Sequence, residues 1–132
     1  MTPENLCKAA IEAMEKAYAP YSGYKVGAAL LCADGTVYRG CNIENASYSP
    51  TICAERTAFA KAVSEGQRDF VAIAICGGKN GQISGLFPPC GVCRQVMREF
   101  CGNDFAVYLI TDQAGSYETR TLAQLLPDGF SL

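Results

Sequence analysis

The apolar residues of this chain change period repeatedly, and that alternation restricts its fold more than any other feature. Thr2-Pro3 reads as an N-cap followed by proline at the first helical position, with Glu4 favourably placed in the first turn. Leu6, Cys7, Ala10, Ile11, Met14 and Ala17 then recur at three- and four-residue steps, which predicts an amphipathic helix ending before Pro20. Lys25 to Cys32 is a short apolar strand, Ala33-Asp34-Gly35 a hairpin turn, and Thr36 to Asn42 the partner strand. A polar loop runs from Asn42 to Pro50, then a helical pattern from Cys53 to Glu65 with Gly66 as its C-cap. Phe70 to Cys76 reads as a buried strand, Gly77 to Pro89 as a Gly- and Pro-rich loop, and Cys90 to Phe100 as a third helix ending at Gly102. Strands at Ala106 to Thr111 and Tyr117 to Thr121 and a short helix from Leu122 to Leu126 complete the chain. The order α-β-β-α-β-α-β-β-α predicts an α/β fold in which helices cover one sheet.

At 132 residues, the length suits one domain spanning residues 1–132, with roughly two-thirds of the unfolded surface buried. An apolar content of 49% excludes a disordered chain, and the apolar runs fall far short of the ~20 residues of a membrane-spanning helix. A net charge of -2 without a block of Lys or Arg argues against a polynucleotide partner, whose binding rests on phosphate neutralisation. Charged residues make up 18%, below the roughly 25% of an average soluble protein, which points to surface buried by self-association. Met1 to Asn5 lacks the basic start and apolar core of a signal peptide, so the expected compartment is the cytoplasm, with reduced thiols.

Eight cysteines and no histidine leave sulfur and oxygen as the only side-chain metal donors. Two segments stand out, Thr51-Ile52-Cys53-Ala54-Glu55-Arg56 and Pro88-Pro89-Cys90-Gly91-Val92-Cys93-Arg94-Gln95, each where a loop becomes a helix. Cys90 and Cys93 are i and i+3, so on a first helical turn their sulfurs share a face and chelate one ion. Cys53 is the nearest third donor, and neither a second C-x-x-C nor a histidine supplies a fourth. Three thiolates with an open position describe a catalytic zinc site that activates water, and Glu55 is placed to move that water's protons. Three thiolates also leave the ion with a net charge of -1. The helix N-termini and Arg56, one turn from Cys53, offset that charge, Arg56 by hydrogen bonding a ligating sulfur rather than touching substrate. A lone C-x-x-C is equally the mark of a redox pair, and a zinc-stabilised domain without activity is the other competing reading. Cys7, Cys32, Cys41, Cys76 and Cys101 read as packing residues, and Asn42 and Glu44 on composition alone are ordinary loop polars.

The spacing P-C-x-x-C together with C-x-E is the signature of zinc deaminases with three cysteine ligands and a non-ligating glutamate. The chain resembles the cytidine deaminase family, in its small homotetrameric class, over nearly its whole length. The matching segments are Ala19-Pro20-Tyr21-Ser22 with Val26-Gly27-Ala28-Ala29-Leu30, Gly40-Cys41-Asn42-Ile43-Glu44-Asn45-Ala46, Cys53-Ala54-Glu55-Arg56-Thr57-Ala58, Pro89-Cys90-Gly91-Val92-Cys93-Arg94-Gln95 and Leu125-Leu126-Pro127. Tyr24, Pro88 and Pro50 depart from the family's commonest pattern, but none of them is a ligand or the glutamate.

The resemblance implies a three-layer α-β-α sandwich on a mixed, mostly five-stranded sheet. It implies one Zn²⁺ per chain on Cys53, Cys90 and Cys93, with Glu55 as general acid/base, and hydrolysis of cytidine and 2'-deoxycytidine to uridine and 2'-deoxyuridine plus ammonia in pyrimidine salvage. Asn42 and Glu44 would bind the ribose hydroxyls, and Tyr24, Val26 and Ala54 would line the base pocket. Ala46, Tyr48 and Phe130 would complete a neighbouring subunit's site in a homotetramer. Glu44 without a basic cluster beside it favours a nucleoside over a nucleotide, because a phosphate would be repelled. A related aminonucleoside such as blasticidin S is the alternative substrate within the superfamily.

Overall fold

The computed structural model describes all 132 residues, Met1–Leu132. Helix α1 (Pro3–Met14) is followed by strands β1 (Tyr24–Cys32) and β2 (Val37–Cys41), helix α2 (Ala54–Ser64) and strand β3 (Phe70–Lys79). Helix α3 (Gly91–Phe100), strands β4 (Ala106–Ile110) and β5 (Tyr117–Thr121) and the short helix α4 (Leu122–Leu125) complete the fold. The strands form one five-stranded mixed sheet in the order β2-β1-β3-β4-β5, in which only β3 and β4 are parallel neighbours.

Side chains alternate along each central strand and so divide the core between the two faces. Val26, Ala28, Leu30 and Cys32 of β1, Ile73 and Ile75 of β3 and Val107 and Leu109 of β4 meet Ala54, Ala58, Phe59 and Ala62 of α2 and Met97 of α3. Ala29, Ala72, Ala74, Cys76 and Ile110 point the other way, onto Leu6, Cys7, Ala9, Ala10 and Met14 of α1. Three layers result, with α1 alone on one face and α2 and α3 on the other. No helix is long and apolar enough to cross a membrane.

Two glycines set how closely the helices approach the sheet. A Cβ on Gly27 would lie 2.6 Å from the Met14 nitrogen and against the Ala10 carbonyl, so only glycine lets α1 rest there. A Cβ on Gly40 would lie 2.6 Å from the Ala58 nitrogen and against the Ala54 carbonyl, at the first turn of α2. Because β1 is antiparallel to both β2 and β3, strands β2, β3 and β4 run in one direction. Helices α2 and α3 follow β2 and β3 in the chain and therefore both begin at the carboxyl end of that set, the usual place for a site in an α/β sheet.

The structure differs from the sequence pattern at two ends. Helix α1 stops at Met14, short of Pro20, because the chain leaves it to pair with the 42–44 loop: Tyr18 N–H donates to the Asn42 carbonyl at 3.0 Å and Glu44 N–H to the Tyr18 carbonyl at 2.9 Å. Strand β3 continues through Gly77 and Gly78 to Lys79, which the pattern assigned to a loop, because these residues pair with Val26, Lys25 and Tyr24. Gly77 belongs in a strand here because the ring of Phe87 lies over it, 2.8 Å from where a Cβ would stand.

Gly40→Ala is expected to lose about 1–3 kcal/mol of unfolding free energy from overpacking, measured by urea denaturation, and to weaken zinc retention by moving the start of α2. A variant with wild-type stability and zinc content would refute this account of the α2 seating.

Candidate metal centre

Cys53 is the N-cap of α2 and Cys90 the N-cap of α3, both in extended backbone (φ -76°, ψ 156° and φ -69°, ψ 166°) and neither using its sulfur to cap its helix. A serine or aspartate there would turn its oxygen onto the first-turn amides. The cysteine sulfurs instead lie close to one another. Cys93 adds a third sulfur from the first turn of α3, as its i+3 spacing from Cys90 predicts. The three sulfurs lie within 4.8 Å of one another, with Cys53 to Cys90 at 3.8 Å and Cys90 to Cys93 at 3.6 Å.

These separations test which ion fits. Zn–S bonds of about 2.3 Å in a tetrahedron place sulfurs about 3.8 Å apart. The Cys53–Cys90 and Cys90–Cys93 spacings match that value, whereas a disulfide requires about 2.05 Å, and all eight cysteines are free. An all-thiolate donor set suits zinc and not the hard cations magnesium and calcium.

The scaffold around the sulfurs is tied down from several sides. Thr57 Oγ1 donates to the carbonyls of Cys41 (3.0 Å) and Cys53 (3.2 Å), joining the end of β2 to the start of α2. Arg94 donates from Nε to the Pro89 carbonyl at 2.7 Å and from Nη1 to the Leu125 carbonyl at 2.6 Å, which fixes the entry to α3. Arg56 Nη2 lies 3.6 Å from Cys53 Sγ and 3.4 Å from the Thr51 carbonyl, so its guanidinium faces a sulfur of the cluster, the position read from the sequence.

Charge is distributed unevenly within the cluster. The neighbouring Cys93 thiol, aided by Arg56, pulls the Cys53 thiol down to about 5, while the proximity of Cys53 and burial push Cys93 up. Burial also raises Cys7 to about 11 and Cys76 and Cys101 to about 12, and lifts Cys32 and Cys41, which suits their reading as packing thiols. Glu55, in the first turn of α2, is 4% exposed and its Oε1 has no hydrogen-bond partner. Burial, reinforced by the charge on Cys53, raises its carboxyl to about 7. A buried carboxylate oxygen without a partner is costly unless a ligand supplies one.

The remaining sequence candidates fall into three groups. Tyr24, Val26 and Asn42 meet at the start of β1: Asn42 accepts from Val26 N–H at 2.9 Å through Oδ1 and donates to the Tyr24 carbonyl at 2.8 Å through Nδ2. Val26 and Ala54 are buried in the cluster beneath α2, and Tyr24 is half exposed. Glu44 is turned onto a neighbouring loop, its carboxylate accepting from the backbone amides of Tyr21 and Ser22 and from Ser22 Oγ, and these bonds lower its pKa. It lines a cleft of about 400 Å³ with Tyr21, Ser22, Asn45, Tyr48 and Thr51. Ala46, Tyr48 and Phe130 lie on the surface, Tyr48 at 75% exposure with a left-handed φ of 62° and Phe130 at 67%. The sequence reading missed Ser22 as a partner of Glu44, and Phe87, whose ring centroid is 6.3 Å from that of Tyr24. Ser22 stands in a quoted segment but nothing marks its partner. Phe87, an apolar residue inside a Gly- and Pro-rich loop, was the available signal.

Paired helix N-termini that hold three thiols, with a buried carboxyl in the first turn of one of them, define a zinc-dependent hydrolase of the deaminase type. Residues 1–109 match the family model for the cytidine and deoxycytidylate deaminase zinc-binding region, and the chain belongs to that family. It is 53% identical to the cytidine deaminase of Sporosarcina psychrophila over 131 residues, covering 99% of this chain and 93% of the relative. It is also 53% identical to that of Halalkalibacterium halodurans, covering 99% and 96%. The crystal structure of cytidine deaminase from Burkholderia pseudomallei superposes with a TM-score of 0.89 at 48% identity, over 98% of this chain and all of the other.

Arg56→Ala is expected to lose zinc to a chromophoric chelator at least about tenfold faster than wild type, as for other groups that brace a metal ligand. Turnover should fall while KM stays near the wild-type value. A variant with raised KM but unchanged zinc retention and turnover would place Arg56 on the substrate instead.

Proposed function

We propose that this chain hydrolyses cytidine and 2'-deoxycytidine to uridine and 2'-deoxyuridine, releasing ammonia. The observation that carries the reading is Glu55: a carboxyl beside three clustered sulfurs, buried, raised to about 7, and with one oxygen unpartnered. Cys53, Cys90 and Cys93 would hold a zinc ion, which when bound would supply Lewis-acid activation of the attacking water. Glu55 accepts a proton from that water and passes it to ring N3, so that oxygen adds to C4 as the C4=N3 bond becomes single. Glu55 then carries the second proton to the exocyclic nitrogen, which leaves as ammonia when the C4 carbonyl forms. One water is consumed and no net proton is left on the protein. A buried carboxyl with one oxygen unpartnered is free to serve both halves of this shuttle.

Asn42 and Glu44 bind the sugar hydroxyls in this reading, and Tyr24 and Val26 pack on the pyrimidine, with Ala54 also lining the pocket. The ordinary ribose carries no phosphate, and the lowered pKa of Glu44 keeps that subsite anionic and unfavourable to one. Residues 1–132 act as one domain, and four chains assemble. Support for assembly comes from the low charged fraction and from the exposure of Tyr48, Val92 and Phe130. An apolar groove between Ile52, Phe59, Val63, Val96 and Phe100 adds to it. In the tetramer Ala46, Tyr48 and Phe130 reach a neighbour's site. Membership of the family supports a role in pyrimidine salvage, and the cytoplasm is the compartment we propose for it.

Glu55→Gln is the decisive variant. The expected protein is folded and zinc-loaded, with cytidine turnover by ultraviolet absorbance reduced by about 10²–10⁴-fold. Near wild-type turnover in a zinc-loaded Glu55→Gln enzyme would overturn the mechanism.

A further inference from the structure

Outside the residues with assigned roles, a dense set of polar contacts joins the 21–24 turn to the end of β3. Tyr21 and Ser22 donate their backbone N–H groups to Glu44 Oε1 at 2.9 and 3.1 Å, and Ser22 Oγ donates to Glu44 Oε2 while accepting from Tyr24 N–H at 3.0 Å. Lys79 holds the same turn from its other side. Its Nζ donates to the Ser22 carbonyl at 2.7 Å and stands 5.2 Å from the centroid of the Tyr24 ring. Next to it, Asn80 N–H donates to the Gly23 carbonyl at 2.7 Å. Gly23, at φ 74°, leaves room for the ammonium, since a Cβ there would lie 3.1 Å from Lys79 Nζ.

Packing holds the groups at this turn only in part, since Phe87 meets the Tyr24 ring from one side, with centroids 6.3 Å apart. Tyr24 is 46% exposed, so its ring needs a further constraint to keep one rotamer. An ammonium over the ring face supplies it, at a distance within the roughly 6 Å range of a cation–π contact. Glu44 is likewise oriented by hydrogen bonds, all three of them from Tyr21 and Ser22. Lys79 therefore reaches both groups at once, the ring directly and the carboxylate through Ser22.

We infer that Lys79 is a positioning residue for the nucleoside, fixing Glu44 on the sugar side and Tyr24 on the base side before substrate binds. The inference rests on the substrate reading above. It predicts a defect in binding and not in chemistry, because Lys79 touches neither the sulfur cluster nor Glu55. Arginine at this position would preserve the effect, since its guanidinium both donates to a carbonyl and stacks on a ring. Methionine would keep the apolar stem and remove the charge.

The test compares cytidine kinetics of zinc-loaded wild type, Lys79→Met and Lys79→Arg with residue-resolved amide exchange of the same proteins without substrate. Lys79→Met is expected to raise KM about three- to tenfold with kcat within about twofold, and Lys79→Arg to restore KM to within about twofold. The amides of Tyr21 and Ser22 should exchange at least about threefold faster in Lys79→Met, since loosening the turn opens their bonds to Glu44. An unchanged KM, a fall in kcat in place of the rise in KM, or unchanged amide exchange overturns the inference. A wild-type enzyme inert toward cytidine refutes the proposed reaction instead, and amide exchange then decides by itself whether Lys79 holds the turn.

Discussion

Gathering three cysteine sulfurs within 4.8 Å of one another, with a buried carboxyl close by, works against folding in the absence of a cation. Each group loses hydration, and each negative charge raises the cost of the next. The Cys53–Cys93 pair shows the compromise, with one thiol drawn toward the thiolate and its partner held protonated. Such a cluster persists only if the backbone beneath it is rigid. Here the rigidity comes from α2 seated on Gly40, from Thr57 tying Cys53 to β2, and from Arg94 bridging Pro89 and Leu125. Binding of a divalent cation reverses the sign of the electrostatics, so metal affinity and fold stability are linked quantities.

That requirement explains the dependence of the site on sheet topology. Placing β1 antiparallel between β2 and β3 lets β2, β3 and β4 share one direction, and the helices after β2 and β3 begin at a common end. The first-turn amides and dipoles of both helices then face the same few ångströms, which favours thiolate there. No single segment of the chain supplies the ligands. The thiol of the first segment reaches the C-x-x-C of the second only through this arrangement of three strands.

Most of this was legible in the sequence because it is written in local chemistry. Thr2-Pro3 does start a helix, and Tyr117 to Thr121 does form a strand, since caps and apolar periods act over a few residues. The i, i+3 cysteines share a face for the same local reason, and Cys53, Glu55 and Arg56 stand at their places by helical geometry. What the sequence hid depended on distant partners. Gly77 and Gly78 read as loop until β1 pairs with them, and α1 ends early because Tyr18 finds Asn42 and Glu44 far along the chain. The Ser22–Glu44 contact spans 22 positions and the Lys79–Ser22 contact 57, with no local pattern to announce either.

The proposed nucleoside contacts differ from the metal centre in how much of their bonding capacity is already spent. Asn42 uses one acceptor site on Val26 and one donor on Tyr24, which leaves one amide hydrogen and one lone pair for a ligand. Glu44 has about four acceptor sites, of which the turn occupies three. Side chains bound so fully to the protein would lose little further freedom when a sugar arrives, so on the proposed reading affinity would come from preorganisation and not from induced closure. Glu55 is the opposite case, buried with Oε1 unpartnered. The groups that would recognise substrate are mostly satisfied beforehand, whereas the group that would move protons keeps one oxygen unpartnered. This is the distribution expected where binding must be rigid and the reacting carboxyl must keep its hydrogen bonds for the transition state.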